Sequence, residues 1–335
     1  MMVYVKKIIL LLVIISSFSF VTYVDAPTYV YPLIREVFSV VEYPSMVMFG
    51  DVVFDRGVRT IMEKRHRDPF EYIRKDSELL KTYDVVAVNL EGPIVEMDRF
   101  LCQDKAYTFQ FASTTIERLR SIGVTMVNIA NNHIYDCLAS GYISTKKYLD
   151  DAGILYIGDM PIEKSFVTQE IDGKKLAFVG IDETIESIPI VDFYPIIEKL
   201  KEDNDYVIVS IHWGTEYSLI ATDRQVNIGH ALIDSGADVV FGHHPHVIEP
   251  VEVYKGKAIF YSLGNFVFDQ FGIEENRGVG VGVEFKDDIY AFTLFPYEIK
   301  IFAPDFLEGH ESDLFCVDFL KDVLNKEDCS FYLAT

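Results

Sequence analysis

The sequence predicts an α/β fold in which helices cover the faces of β-sheets, and three observations carry that expectation. Short apolar runs rich in β-branched residues recur at 46–49, 85–88, 124–129, 176–181, 207–211, 239–241 and 259–261. Amphipathic stretches at helical spacing lie between several of them, at 114–122, 141–152, 195–201 and 224–235. Strand and helix signals in alternation arrange strands into sheets and lay the helices over them. Toward the C-terminus, 278–285 and 289–295 alternate in hydrophobicity and meet around Lys286-Asp287-Asp288, which predicts an antiparallel hairpin.

Half of the 335 residues are hydrophobic, enough to bury a large core. Neither an internal repeat nor a low-complexity segment interrupts the chain, so one catalytic domain is the economical organisation. Lys and Arg number 30 against 52 Asp and Glu, a formal net charge of −22. That field repels polyanions and argues against nucleic-acid binding through a basic surface.

Lys6 and Lys7 precede an uncharged stretch from Ile8 to Val24, the pattern of a charged region followed by an apolar one. A cleavage-like Val24-Asp25-Ala26 follows, but Pro27 directly after it disfavours cutting. Residues 1–26 therefore read as a signal-anchor or a signal peptide, with the uncleaved anchor favoured. Its length is at the short end for spanning a bilayer. The paired lysines keep the N-terminus inside and place the body outside the cell, attached to the membrane by a single pass. Cleavage would make the protein secreted instead. Pro27, Pro32 and Pro44 make 27–44 a tether. The domain then extends over 45–300, with 301–335 a C-terminal extension.

The four cysteines are Cys102, Cys137, Cys316 and Cys329. An even number outside the reducing cytosol is compatible with two disulfides, and also with four free, mostly buried thiols. Cys316 and Cys329, close in sequence, are the natural pair; Cys102 and Cys137 both follow segments that approach one site, which makes them a second pair. No CxxC spacing occurs, which excludes a zinc ribbon.

Ligands of open α/β folds bind beyond the C-terminal ends of strands, and those positions are rich in chemistry here. Gly50-Asp51 ends the first apolar run, and Asn89-Leu90-Glu91 the second. Asn131-Asn132-His133 and Asp136 follow the third, and His212-Trp213-Gly214 the fifth. After the sixth comes Gly242-His243-His244-Pro245-His246, three of the eight histidines within five residues. Imidazole is the commonest protein metal ligand, and a glycine lets the backbone turn so that rings converge. Each position has an ordinary alternative: a helix cap for Asp51, a core histidine for His212, a turn residue for Asn132. Five strand ends sharing metal-ligand chemistry point instead to one metal centre.

These blocks, with Arg56, Glu216-Tyr217 and 256–266, resemble the CapA-type capsule-synthesis or poly-γ-glutamate synthesis proteins of the calcineurin-like metallophosphoesterase superfamily. The resemblance covers about residues 46–270. It implies a two-sheet β-sandwich flanked by helices in four layers. Two departures stand out. Cys137-Leu138 replaces a glycine that usually follows the aspartate of the Asn-Asn-His block. Val53 stands where many members of the superfamily carry a histidine, leaving the first metal position with fewer protein ligands.

Carried over onto this chain, the resemblance implies that Asp51, Glu91, Asn132, His212, His244 and His246 ligate two divalent transition-metal ions, with Glu91 bridging. Imidazole, carboxylate and amide ligands suit Mn, Fe or Zn better than Mg or Ca. His133 would act as general acid, oriented by Asp136. His243 is an alternative ligand to His244. The latter is favoured because alternate residues of an extended segment point the same way. Arg56 could fix an anionic group of a substrate or form a structural ion pair. His230 reads as helix packing, His66 and His310 as solvated, and Lys105 as a surface lysine. The function implied is a membrane-anchored, extracytoplasmic (phospho)ester hydrolase serving capsule or poly-γ-glutamate-type polymer synthesis or export. The alternative is a non-catalytic accessory subunit of such a complex. Partners would be the membrane and membrane-bound synthesis or export subunits.

Overall fold

A computed structural model of the protein describes residues 43–96, 101–184, 189–287, 289–323 and 326–334. The N-terminal segment 1–26 and most of the tether lie outside the described residues. Among the described residues, no helix is long and apolar enough to cross a membrane. Residues from Tyr43 onward form one compact unit.

One sheet is built around four parallel strands, β1 (Ser45–Val52), β2 (Val85–Leu90), β3 (Met126–Asn128) and β4 (Leu155–Ile157). The other contains β5 (Phe166–Ile171), β6 (Lys174–Asp182), β7 (Tyr206–His212), β8 (Val239–His243), β9 (Ile248–Tyr254) and β10 (Lys257–Leu263) in the order β5-β6-β7-β8-β10-β9. Its middle strands β6, β7, β8 and β10 are parallel, and β5 and β9 close the edges antiparallel. The short β11 (Asn265–Val267) runs parallel to β1. The expected hairpin is present as β12 (Arg277–Lys286) and β13 (Ile289–Lys300), and β12 extends the first sheet beside β1.

Alternation of side chains along the strands produces the layers. Met46, Met48, Val85, Ala87 and Met126 of the first sheet meet Phe178, Ile208, Val239, Phe241 and Phe260 of the second in a shared core. The opposite face of the first sheet, including Val47, Phe49, Val86 and Val88, packs against three helices. These are α1 (Arg56–Arg65), α3 (Thr115–Ser121) and α4 (Leu138–Ala152); a single-turn helix, α2 (Ser77–Leu80), lies between them in sequence. Val179, Val207, Val209 and Ile259 pack outward against α5 (Tyr194–Asp203) and α6 (Asp223–Asp234). The expected two-sheet, helix-flanked architecture is thus present. Because the central parallel strands are buried on both faces, they appear in the sequence as unbroken apolar runs.

The stretch read as a C-terminal extension is built into this architecture. It contributes β14 (Ala303–Phe306), α7 (Gly309–Phe319), β15 (Lys326–Glu327) and β16 (Ser330–Ala334). Strand β16 pairs with β13, and Cys316, Leu320, Phe331 and Leu333 join the core between the sheets. Disulfides link Cys102 to Cys137 and Cys316 to Cys329.

Candidate metal centre

The C-terminal ends of β1, β2 and β3 in one sheet converge with those of β7 and β8 in the other. Asp51 stands near the end of β1, Glu91 directly after β2, and Asn132 in the turn after β3. His212 is the last residue of β7, and His244 and His246 follow β8. Asp51, Glu91 and His212 have no solvent exposure. Burying carboxylates so completely costs several kcal/mol apiece unless something compensates their charge.

Glu91 shows what that compensation requires. Neither of its carboxylate oxygens has a hydrogen-bond partner. Around Oε1 stand Nε2 of His246 at 3.6 Å, of His212 at 3.8 Å and of His133 at 4.0 Å. These gaps are too long for good hydrogen bonds. They suit donors sharing an ion at about 2.0–2.2 Å from each. One atom from each of Glu91, His212 and His244 lies within 4.8 Å of the others, and the same holds for Asp51, Glu91 and His246. Glu91 belongs to both groups, the arrangement expected of a bridging carboxylate. Asn132 Oδ1 is 2.9 Å from His212 Nε2, which adds an amide oxygen beside the first group.

Buried amides hold these groups in place. Asn89 Nδ2 donates to Asp51 Oδ1 at 2.8 Å and lies 3.2 Å from His212 Nδ1. Its own carbonyl oxygen accepts from Asn128 and Asn131. Asn265 Oδ1 is 3.0 Å from His246 Nδ1, and its amide donates to the His246 carbonyl. Sequence reasoning assigned no role to Asn89, Asn128 or Asn265. The available signal was an amide inside or beside an apolar strand, where burial costs free energy unless the group is hydrogen-bonded.

The electrostatics fit a cation-binding site. Burial pushes the Asp51 carboxyl up, but contacts with His243 and His246 overcome this and hold it well below its ordinary range. Burial, reinforced by Asp51, drives Glu91 well above its usual range despite the opposing charge of His246. For His246, burial would lower the pKa, yet the Glu91 and Asp51 carboxylates reverse that and push it up to about 9. Burial and then the charge of His244 hold His212 well below its ordinary value, and burial with His246 brings His244 down to about 4. His212 and His244 are therefore neutral, as metal ligation requires. The carboxylates draw a proton onto His246, a positive charge that an ion would replace.

The histidine-rich run reaches this arrangement differently from the sequence expectation. Gly242 makes no turn; it is still within β8, where a Cβ would lie 1.9 Å from the Tyr261 carbonyl oxygen. The segment beyond is not extended either. His244 and His246 both adopt left-handed backbone, with φ of 95° and 59°, around Pro245. Those two bends, rather than strand alternation, bring the rings to 5.9 Å between centroids. His243 is fully buried, with Nδ1 3.5 Å from Asp51 Oδ1, and falls outside the three-residue groups.

His133 lies beside the centre with Nδ1 2.8 Å from Asp136 Oδ2 and its ring 4.2 Å from that of Phe109. Burial lowers its pKa, and Asp136 opposes the shift. Lys105 is exposed, as expected of a surface lysine, but it also pairs with the site. Its Nζ lies 2.5 Å from Asp136 Oδ1, supplying the cation that a fully buried carboxylate needs. Arg56 opens α1, pairs with Asp269 and lies over the rings of Tyr107, Phe109 and Phe268. It is a structural ion pair that also lines the cleft beside His133 and His246. His230 is not simply packed in its helix: it contacts Glu252 at 2.8 Å and stacks on Tyr254. His66 and His310 are exposed, as expected.

The fold resembles that of a hypothetical protein from Thermus thermophilus, at a TM-score of 0.50 and 20% identity over 76% of this chain and 99% of that one. A protein named "PGA biosynthesis protein CapA" from Bacillus subtilis (strain 168) is 34% identical over 66% of this chain and 62% of its own length. "Capsule biosynthesis protein CapA" of Bacillus anthracis is also 34% identical, over 68% of this chain and 60% of its own. The chain thus spans about six-tenths of the length of these relatives. A "Probable polyglutamine synthesis accessory protein" from Mycobacterium tuberculosis (strain ATCC 25618 / H37Rv) is 27% identical over 57% of each chain. Residues 45–270, which include all five strand ends of the centre, match the family described as "Bacterial capsule synthesis protein PGA_cap", and the chain belongs to that family.

Proposed function

We propose that this protein is a membrane-anchored, extracytoplasmic hydrolase with a two-metal site, acting on a phosphoester or related bond in the synthesis or export of a capsule or poly-γ-glutamate-type polymer. The observation that carries the reading is Glu91, buried without a hydrogen-bond partner among three imidazoles. Asp51, Glu91 and His246 would hold one ion, and Glu91, Asn132, His212 and His244 the other. Divalent ions held by these residues would supply Lewis acidity and charge stabilisation to the oxygens of a phosphoester displacement. Mn, Fe or Zn suits these donors.

The remaining steps fall to the chain's own residues. His133, with Asp136 holding its Nδ1–H, would take a proton from solvent on Nε2 and pass it to the leaving oxygen. Arg56 lines a cleft of about 360 Å³ together with Tyr107, His133, Tyr217 and His246, and meets an anionic group of the substrate there. The polymer role is supported by the names of the relatives. Membrane attachment rests on Lys6, Lys7 and the uncharged stretch behind them, and places the protein beside membrane-bound synthesis or export subunits. Nucleic acid is not expected as a partner, given the net charge of −22.

Metal analysis of protein expressed in metal-supplemented medium is the test. About two transition-metal ions per chain are expected, with metal lost in Glu91→Ala and His246→Ala; a metal-free wild type would refute the centre. Hydrolysis of bis(p-nitrophenyl) phosphate should fall about 10²–10⁴-fold in His133→Asn with metal content unchanged. A metal-loaded wild type that cleaves no phosphodiester would favour the accessory role named for the mycobacterial relative.

A further inference from the structure

We infer that Glu216 is a further ligand of this centre, closing its solvent side with a third carboxylate. The inference rests on the two-metal reading and adds to it a residue outside the six ligands named above. A carboxylate oxygen of Glu216 and ring nitrogens of His244 and His246 lie within 4.8 Å of one another. His244 Nδ1 is buried and has no hydrogen-bond partner. Among the described residues, the Glu216 carboxylate is itself engaged in no hydrogen bond or ion pair. A carboxylate oxygen and two ring nitrogens therefore stand close enough together to share one ion.

The backbone holds this arrangement at both ends. Leaving β7, the chain is tied to the histidine run by Trp213 N donating to the His243 carbonyl at 3.0 Å and Tyr217 N donating to the Pro245 carbonyl at 2.8 Å. Between those ties Gly214 takes φ of 86°, and any Cβ there would meet the Gln225 side chain at 2.6 Å. Tyr217 bends back at φ of 65°. Glu216 is solvent-exposed, but its loop runs alongside the residues that carry the imidazoles. The first strand offers no replacement, because Val53, two residues beyond Asp51, is turned into the helix-side core. With Asp51 and Glu91 already present, Glu216 raises the oxygen-donor share of the centre and so favours harder ions such as Mn²⁺.

The experiment titrates the full-length chain, stripped of metal by chelation, with MnCl₂ and separately with ZnCl₂, and counts bound ions. Wild type should bind about two. Glu216→Gln should weaken one of them by at least about tenfold, more for Mn²⁺ than for Zn²⁺, with Glu216→Asp recovering part of the loss. The metal-free variants should melt with the metal-free wild type, since an exposed side chain is being changed. Unaltered stoichiometry and affinity in Glu216→Gln, with wild type binding two ions, would overturn the inference alone. A wild type that binds neither metal would overturn the two-metal reading and this ligand with it.

Discussion

Two buried glutamates occupy opposite situations. Glu91 is surrounded by imidazoles, whereas Glu249, also fully buried, accepts one hydrogen bond from Gln225 Nε2 at 2.6 Å and leaves Oε1 unpartnered. Burial pushes the Glu249 carboxyl up from 4.5 to about 7, with Gln225 opposing. In the unfolded chain it titrates near its ordinary value, so between 4.5 and 7 the unfolded state ionises first and binds fewer protons. Stability must then fall as pH rises through that window and level off above it. The gap corresponds to roughly 3 kcal/mol. Glu249→Gln is expected to flatten this slope, so that its stability relative to wild type is higher at pH 8 than at pH 4.5. Urea denaturation of both proteins at the two pH values checks it, and parallel pH profiles would refute it.

At the scale of elements, the segment after β2 is fastened to the turn that carries His133. Cys102 is bonded to Cys137, Gln103 N donates to the Asp136 carbonyl, and Phe109 N donates to Asp136 Oδ2. Lys105 reaches Asp136 from that segment. Near the C-terminus, Cys316–Cys329 ties α7 to the turn between β15 and β16. Unreduced, denatured protein should therefore show no thiol reactive toward a maleimide, and four labelled cysteines would contradict both bridges. Cys102→Ser/Cys137→Ser should cost about 2–4 kcal/mol. Metal content should survive, because no ligand lies on the released segment. Central strands such as β7, buried along their whole length, were legible as apolar runs. The edge strands β4, β5 and β9 are partly exposed and only short or weakly patterned, so composition did not reveal them. Helix α1 leaves only a faint trace in the sequence although Asp55 caps it, because its apolar positions are few.

For the whole molecule, the chain beyond Lys300 completes rather than decorates the domain. Removing residues 301–335 would strip β16 from β13 and take Cys316, Leu320, Phe331 and Leu333 out of the core between the sheets. Losing these four buried apolar side chains at about 1.5–3 kcal/mol each amounts to about 6–12 kcal/mol, comparable to the whole stability of a typical domain. The shortened protein is expected to bind a hydrophobic dye and to lose its cooperative thermal transition. A truncation that melts as sharply as the full chain would contradict this placement.

The sequence by itself determined the α/β class, the parallel strands and the kinds of residue standing at their ends. Period and composition are local properties, and strand ends follow from where apolar runs stop. Only the tertiary structure decided which of those residues meet. The Asp51 carboxylate accepts from the backbone of His244, 193 positions away, and its strand lies in a different sheet. Such distances depend on strand register and on how two sheets pack, which are set by contacts no short window contains. The left-handed bends at His244 and His246, the amide of Asn89 between Asp51 and His212, and the placement of Glu216 all arise at that level.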